Sequence, residues 1–191
     1  MDTITRTTCR LCGGSDLRNA FSLGEQYIND FVPPERIGKG LKAPLDLVVC
    51  DNCSLLQLRH TAPQELLYSR YYWYRSGVTD TMRRALKDIA EDIEAMVPLS
   101  QGDVVLDIGA NDGTLLVSYT AKGIHRVGCE PANNLVDMLR ENTGYVMHDF
   151  WNYERYMELA KEWGFGKAKV ITAIGMFYDL EDPNKFIKDA Q

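Results

Sequence analysis

The sequence predicts an α/β fold: a parallel sheet interleaved with helices, preceded by a small zinc-binding module. Three observations predict it. After Asp103, short apolar runs alternate with stretches of helical periodicity, the pattern of successive βα units. The first of these runs ends in a glycine turn, "GANDG" from Gly109 to Gly113, where open α/β sheets build nucleotide sites. The N-terminal part carries two C-x-x-C pairs, Cys9/Cys12 and Cys50/Cys53.

The chain of 191 residues has room for one domain of ordinary size and a small one. Its 21 Lys and Arg against 27 Asp and Glu give a formal charge of −6, with no basic stripe, which argues against nucleic acid as a partner. A hydrophobic share of 45% is enough for a buried core. The start, "MDTITRTTCRLCGG", has no apolar signal region, and no window approaches the roughly 18 apolar residues of a spanning helix. The expectation is a cytoplasmic protein with no membrane contact, whose five cysteines are metal ligands or buried thiols.

Three blocks follow in order. Residues 1–75 hold four cysteines and loop signals such as Gly13-Gly14 and Pro33-Pro34, and read as a loop-rich module with few long elements. In residues 76–98 an apolar stripe of Met82, Ala85, Leu86, Ile89, Ile93, Met96 and Val97 predicts a connector helix, with Thr79 or Asp80 as N-cap and Pro98 as its end. Residues 99–191 alternate: strand 104–108, helix 114–121, strand 126–129, helix 133–141, strand 145–147, a helix within 154–163, strand 169–173, and a last helix starting at Asp182-Pro183. Four parallel strands with helices on both faces would leave an unpaired edge, so the chain reads as part of a longer protein with an incomplete sheet.

Each C-x-x-C pair makes a tight knuckle aiming two thiolates at one ion, and four thiolates complete the tetrahedral shell of structural zinc. The 37 residues between Cys12 and Cys50 must then form their own loop or small sheet, and alternation at Leu45, Leu47 and Val49 predicts a strand feeding the second knuckle. A redox dithiol would call for a single C-x-x-C in a βαβ setting, which is absent. Cys129, at a strand end, reads as a small buried hydrophobe.

The glycine turn lacks the G-x-G-x-x-G of dinucleotide folds, and Asp112 stands where a diphosphate would pack, so NAD is disfavoured. S-adenosylmethionine has no phosphate. Asp107 at the strand end can face its ammonium, Gly109, Asn111 and Gly113 lie where its amino-acid moiety would approach, and Glu130 after the next strand can accept from both ribose hydroxyls. Asp149 and Phe150 in "HDFW" follow the third strand, placed for the adenine amino group and ring face. Each station has a simpler reading: Asn111 or Asp112 as a helix cap, Glu130 as solvated surface, Phe150 as core.

With the C-x-x-C pairs, "YYWYRSG" and "LDIGANDG" in hand, the chain resembles the sugar C-methyltransferase family, over its whole length and about the first half of such a protein. That resemblance implies a zinc module joined to a Rossmann-like class I methyltransferase domain. It also implies methyl transfer from S-adenosylmethionine to a carbon of a nucleotide-linked keto-deoxysugar, a small-molecule partner. A tyrosine after the zinc module, here Tyr72 or Tyr74, would reach the active site, although "YSRYYWY" also reads as an aromatic plug. Where relatives often carry a histidine after the fourth strand, this chain has Tyr178, able to donate or accept toward substrate. None of His60, His125 or His148 matches the family's general base. Two other readings are a methyltransferase acting on O or N of another small molecule, and a non-catalytic zinc-module scaffold.

Overall fold

Two knuckles and an antiparallel ribbon dominate the first of the two units into which the chain divides, the residues through Arg70 together with Glu181–Phe186. The structure is a computed structural model and describes residues 3–28 and 32–191. The first unit contains β1 (Ile4–Thr5), β2 (Leu17–Tyr27), β3 (Lys42–Cys50), β4 (Leu56–Leu58) and β5 (His60–Thr61). Strands β2, β3 and β4 form one antiparallel sheet in that order, and β1 pairs with β5.

Among the described residues through Arg70 two strands are long, β2 and β3 at 11 and 9 residues, and the remaining elements have five residues or fewer. Strand β2 is exposed along nearly its whole length, Phe21, Leu23 and Tyr27 included, and register shifts between Asn19 and Phe21 and between Ser22 and Glu25 interrupt it. Its partner, with Leu17 opposite Cys50 and Tyr27 opposite Lys42, is what extends it. The expected strand before the second knuckle is present. Its buried side chains, however, are Ala43, Val48 and Cys50, and the two nearest the knuckle, Val48 and Cys50, are of opposite parity to the half-buried Leu45, Leu47 and Val49.

The second unit, Tyr71–Leu180 with Ile187–Gln191, holds α1 (Asp80–Met96), β6 (Val104–Ile108), α2 (Thr114–Ser118), β7 (His125–Cys129), α3 (Val136–Asn142), β8 (Tyr145–Met147), α4 (Tyr153–Trp163) and β9 (Val170–Thr172); α5 (Pro183–Ala190) lies at the division. All four strands are parallel, in the order β8-β7-β6-β9. The α/β class read from the sequence holds. In order of appearance the strands run third, second, first, fourth, so the order reverses between β6 and β9, and the crevice beyond their carboxyl ends is where such sheets bind ligands.

Strand β6 is buried at every position. Thr79 caps α1 by accepting from Met82 N, and Leu86 and Ala90 of this helix enter one core with Val105, Leu115, Leu116, Tyr119 and Leu139. The helix read as a connector is thus part of the core.

Two boundaries moved for identifiable reasons. Helix α2 stops at Ser118 instead of continuing to 121, because the Glu94 carboxylate takes the N–H groups of Thr120 and Ala121 and the Thr120 hydroxyl. Helix α3 begins at Val136 instead of 133, after a turn in which both Leu135 and Val136 donate to Ala132 O. Among the described residues no helix is long and apolar enough to cross a membrane.

Candidate functional site

The four sulfur atoms of Cys9, Cys12, Cys50 and Cys53 lie within 4.8 Å of one another. Cys9 and Cys53, and Cys12 and Cys50, are 3.6 Å apart. A tetrahedral zinc with bonds of about 2.3 Å sets sulfurs about 3.8 Å apart, whereas a disulfide would bring them to about 2.05 Å. The cluster has the dimensions of a tetrathiolate metal centre.

Both knuckles are the same local structure. Gly13 N donates to Cys9 O and Cys9 N to Gly14 O; Ser54 N donates to Cys50 O and Cys50 N to Leu55 O. The residue after the second cysteine is left-handed in each, Gly13 at φ 73° and Ser54 at φ 64°. Two side-chain amides then point at sulfur: Gln57 Nε2 donates to Cys9 Sγ at 3.2 Å and Asn52 Nδ2 to Cys12 Sγ at 3.4 Å. Gln57 is 6% exposed, and its Oε1 accepts from Arg10 N. Sequence reasoning missed both donors. The available signal was a glutamine at the inward parity of "LQL", beside Val48 of the neighbouring strand.

In the second unit, Asp107 and Glu130 stand at the carboxyl ends of neighbouring strands β6 and β7. Asp107 is 4% exposed, and its Oδ1 accepts from the Thr172 hydroxyl at 2.6 Å across the strand-order reversal. Burial pushes its carboxyl up to about 7, the Thr172 hydroxyl opposing and the Glu130 charge adding to the shift. Glu130, 5% exposed, accepts from Asn111 N through Oε2 and from Ala132 N through Oε1, both at 2.8 Å. Burial raises its pKa as well, against the pull of these two donors.

The glycines serve different ends. Gly109 is left-handed at φ 76°, its N–H donates to Cys129 O, and a Cβ there would press on Met176. Gly113, at φ 81°, has Asn142 and Leu139 within 3.0 Å of where a Cβ would stand, so packing of α2 against α3 already demands glycine.

Asn111 and Asp112 are engaged by the segment just before α1. The Asn111 Oδ1 accepts from Ser76 N at 2.9 Å and from Asp112 N at 3.0 Å, and its Nδ2 donates to Tyr74 O at 3.1 Å. Asp112 accepts from Gly77 N through Oδ2 and from the N–H and hydroxyl of Thr114 through Oδ1. Asn134, unnoticed in the sequence, closes on the backbone amide of Tyr72: Tyr72 N donates to Asn134 Oδ1 at 2.8 Å and Asn134 Nδ2 to Tyr72 O at 3.0 Å.

Of the aromatic candidates, Tyr72 is half-buried, and its phenol is held above the ordinary range by burial and then by Tyr178, Asp179, Glu130 and Tyr74. Tyr74 and Tyr178 are 48% and 74% exposed. Asp149 is exposed, with Oδ1 accepting from Phe150 N, and Phe150 is half-buried. Cys129 is buried as expected, and its thiol donates to Asp149 O.

Residues 9–68 match a family described as "Putative zinc binding domain", and residues 79–191 match one described as "Methyltransferase domain". The chain is 30% identical over 135 residues to "C-methyltransferase NovU" of Streptomyces niveus, a match covering 70% of this chain and 32% of that protein. The match spans about a third of the relative's length. A solved methyltransferase of Geobacter sulfurreducens, described as SAM-dependent and in complex with S-adenosyl-L-homocysteine, aligns at a TM-score of 0.38 and 15% identity, covering 68% of this chain and 51% of that one.

Proposed function

The chain belongs to the methyltransferase-domain family, and from that premise we propose that it supplies the S-adenosylmethionine-binding part of a C-methyltransferase acting on a nucleotide-linked keto-deoxysugar. The observation that carries the reading is the pair of buried carboxylates, Asp107 and Glu130, on neighbouring strand ends beside a glycine turn at the reversal of strand order. Two acids in one crevice suit a cationic, phosphate-free ligand and would repel a diphosphate. The zinc module and the named C-methyltransferase relative support the choice of carbon as acceptor. Cysteines that serve as zinc thiolates rather than as disulfides suit a reducing compartment, the cytoplasm.

When bound, S-adenosylmethionine would supply an electrophilic sulfonium methyl to a carbon nucleophile formed by loss of a proton beside the sugar ketone. The chain's own contribution is to hold and orient. Asp107 would face the ammonium directly or through water, with the backbone at Gly109 alongside the amino-acid moiety. Glu130 would accept from the ribose hydroxyls, and Asp149 with Phe150 would meet the adenine. Tyr72, Tyr74 and Tyr178 would line the acceptor side, where a neutral phenol can donate to the ketone oxygen.

The first test is calorimetric titration of the zinc-loaded chain with S-adenosylhomocysteine. Saturable binding supports the reading, and a folded chain that binds none overturns it. For the acceptor, the protein is incubated with a nucleotide-linked keto-deoxysugar in deuterated water. Deuterium entering the carbon beside the ketone supports carbon chemistry, whereas methylation at O or N without such exchange overturns it.

A further inference from the structure

The segment from Tyr72 to Gly77 has no regular structure up to a single helical turn at Ser76–Val78, yet its backbone is gripped at four residues by three side chains. Asn134 takes both polar groups of Tyr72, as a paired strand would. Asn111 takes the carbonyl of Tyr74 and the N–H of Ser76, and Asp112 the N–H of Gly77. The donors and acceptors are 35–62 residues away in sequence, on the loops that follow β6 and β7. A segment held only by local preference would have no reason to meet side chains so far along the chain.

Two further observations show that this grip is built in. The Asn111 amide oxygen accepts two N–H groups, Ser76 and Asp112, which fills its usual capacity. Gly77 approaches so closely that a Cβ would stand 2.7 Å from Asp112 Oδ2 and 2.7 Å from Thr114 Oγ1. Along the segment, the rings of Tyr71 and Trp73 lie against each other at a tilt of 48°, centroids 4.4 Å apart and at 50% and 42% exposure, while Tyr72 between them is half-buried.

We propose that Asn111, Asp112 and Asn134 are positioning residues that dock segment 72–77 onto the loops after β6 and β7 and thereby present Tyr72 to the crevice beside Glu130. Asn111 is then a clamp, and its own N–H, held by Glu130, ties the clamp to the ribose station. The effect on methyl transfer rests on the function proposed above; the docking itself does not.

The test uses amide hydrogen exchange and tyrosine ring-carbon NMR on the zinc-loaded chain, with Tyr72→Phe to assign the Tyr72 signal and S-adenosylhomocysteine as probe. Asn134→Ala should speed exchange at the Tyr72 amide about tenfold while leaving β6 and β7 unchanged. Gly77→Ala, which removes no hydrogen-bonding group, should release the Ser76 and Gly77 amides. In both variants the Tyr72 phenol should titrate closer to its ordinary value, a readout that loss of stability elsewhere would not move. Asn134→Asp, which keeps the acceptor for Tyr72 N–H, should restore much of the protection at that amide. Unchanged exchange and an unchanged phenol in a folded Asn134→Ala chain overturn the proposal. Protected amides in a chain that ignores the probe would sustain the docking while removing the cofactor reading, so the two failures are distinguishable.

Discussion

Thr172 donates its hydroxyl to Asp107 across the β6–β9 pair, Oγ1 to Oδ1 at 2.6 Å, where the strand order reverses. The bond fixes one oxygen of a carboxyl that burial has pushed up to about 7. The folded chain therefore holds a proton there that the unfolded chain, with an ordinary Asp, has released. The stabilisation is full below the ordinary Asp range and is lost as pH rises through about 7. Asp107→Asn should gain stability relative to the parent as pH rises from the ordinary Asp range to about 7, by at most about 1.4 kcal/mol per pH unit, and gain no more above it. Thermal melts of both chains across that range check it, and parallel melting curves would refute it.

Glu94 should show the opposite pH dependence. Burial works to raise its pKa, but the Ala121 N–H and the hydroxyl and N–H of Thr120 more than offset this and hold it below the ordinary range. Its contribution is therefore present above the ordinary Glu pKa and is lost as pH falls through the depressed value. Glu94→Ala should cost about 1–2 kcal/mol at neutral pH and less in acid, measured by denaturant unfolding at pH 7 and pH 3.5.

Glu130 separates affinity from folding when two variants are compared. Glu130→Ala strands the N–H groups of Asn111 and Ala132, so it should lose about 1–3 kcal/mol of stability along with S-adenosylhomocysteine binding. Glu130→Asp keeps the charge but shortens the reach. It should bind the probe at least about tenfold more weakly than the parent, as calorimetry would show.

Metal removal should act on the first unit alone. Stripping zinc with a strong chelator should raise exchange throughout β2–β4 and leave β6–β9 protected, since a closed four-thiolate site contributes folding energy directly. Cobalt in place of zinc should give the absorption of a tetrahedral thiolate site.

Gln57 is expected to tune that metal. Gln57→Leu removes the N–H donated to Cys9 Sγ while conserving most of the volume. Zinc affinity, measured by competition with a chromophoric chelator, should fall about tenfold. An unchanged affinity would reduce Gln57 to a packing residue.

Much of the second unit was legible in the sequence because its strands are short buried apolar runs whose character does not depend on what they meet. The glycine turn, Asp107 and Glu130 could be placed on strand ends for the same reason. What stayed hidden depends on distant partners. Strand β2, exposed on both sides, is a strand only because β3 lies beside it. The end of α2 is set by Glu94, on another helix, and the hold on Tyr72 by Asn134, 62 residues away. Asn111 could be singled out by its place in the turn, yet its task could not be read, since nothing local says that its amide meets Tyr74 and Ser76.

The two N–H groups on Glu130 also have an entropic consequence. A glutamate side chain free in a cleft loses about 1.5–2 kcal/mol of rotamer freedom when a ligand fixes it. Here Asn111 N and Ala132 N fix both oxygens when the chain folds. A pair of hydroxyls arriving at this carboxylate would find it already immobile, and the temperature dependence of their binding would report the ordering of the ligand far more than that of the protein.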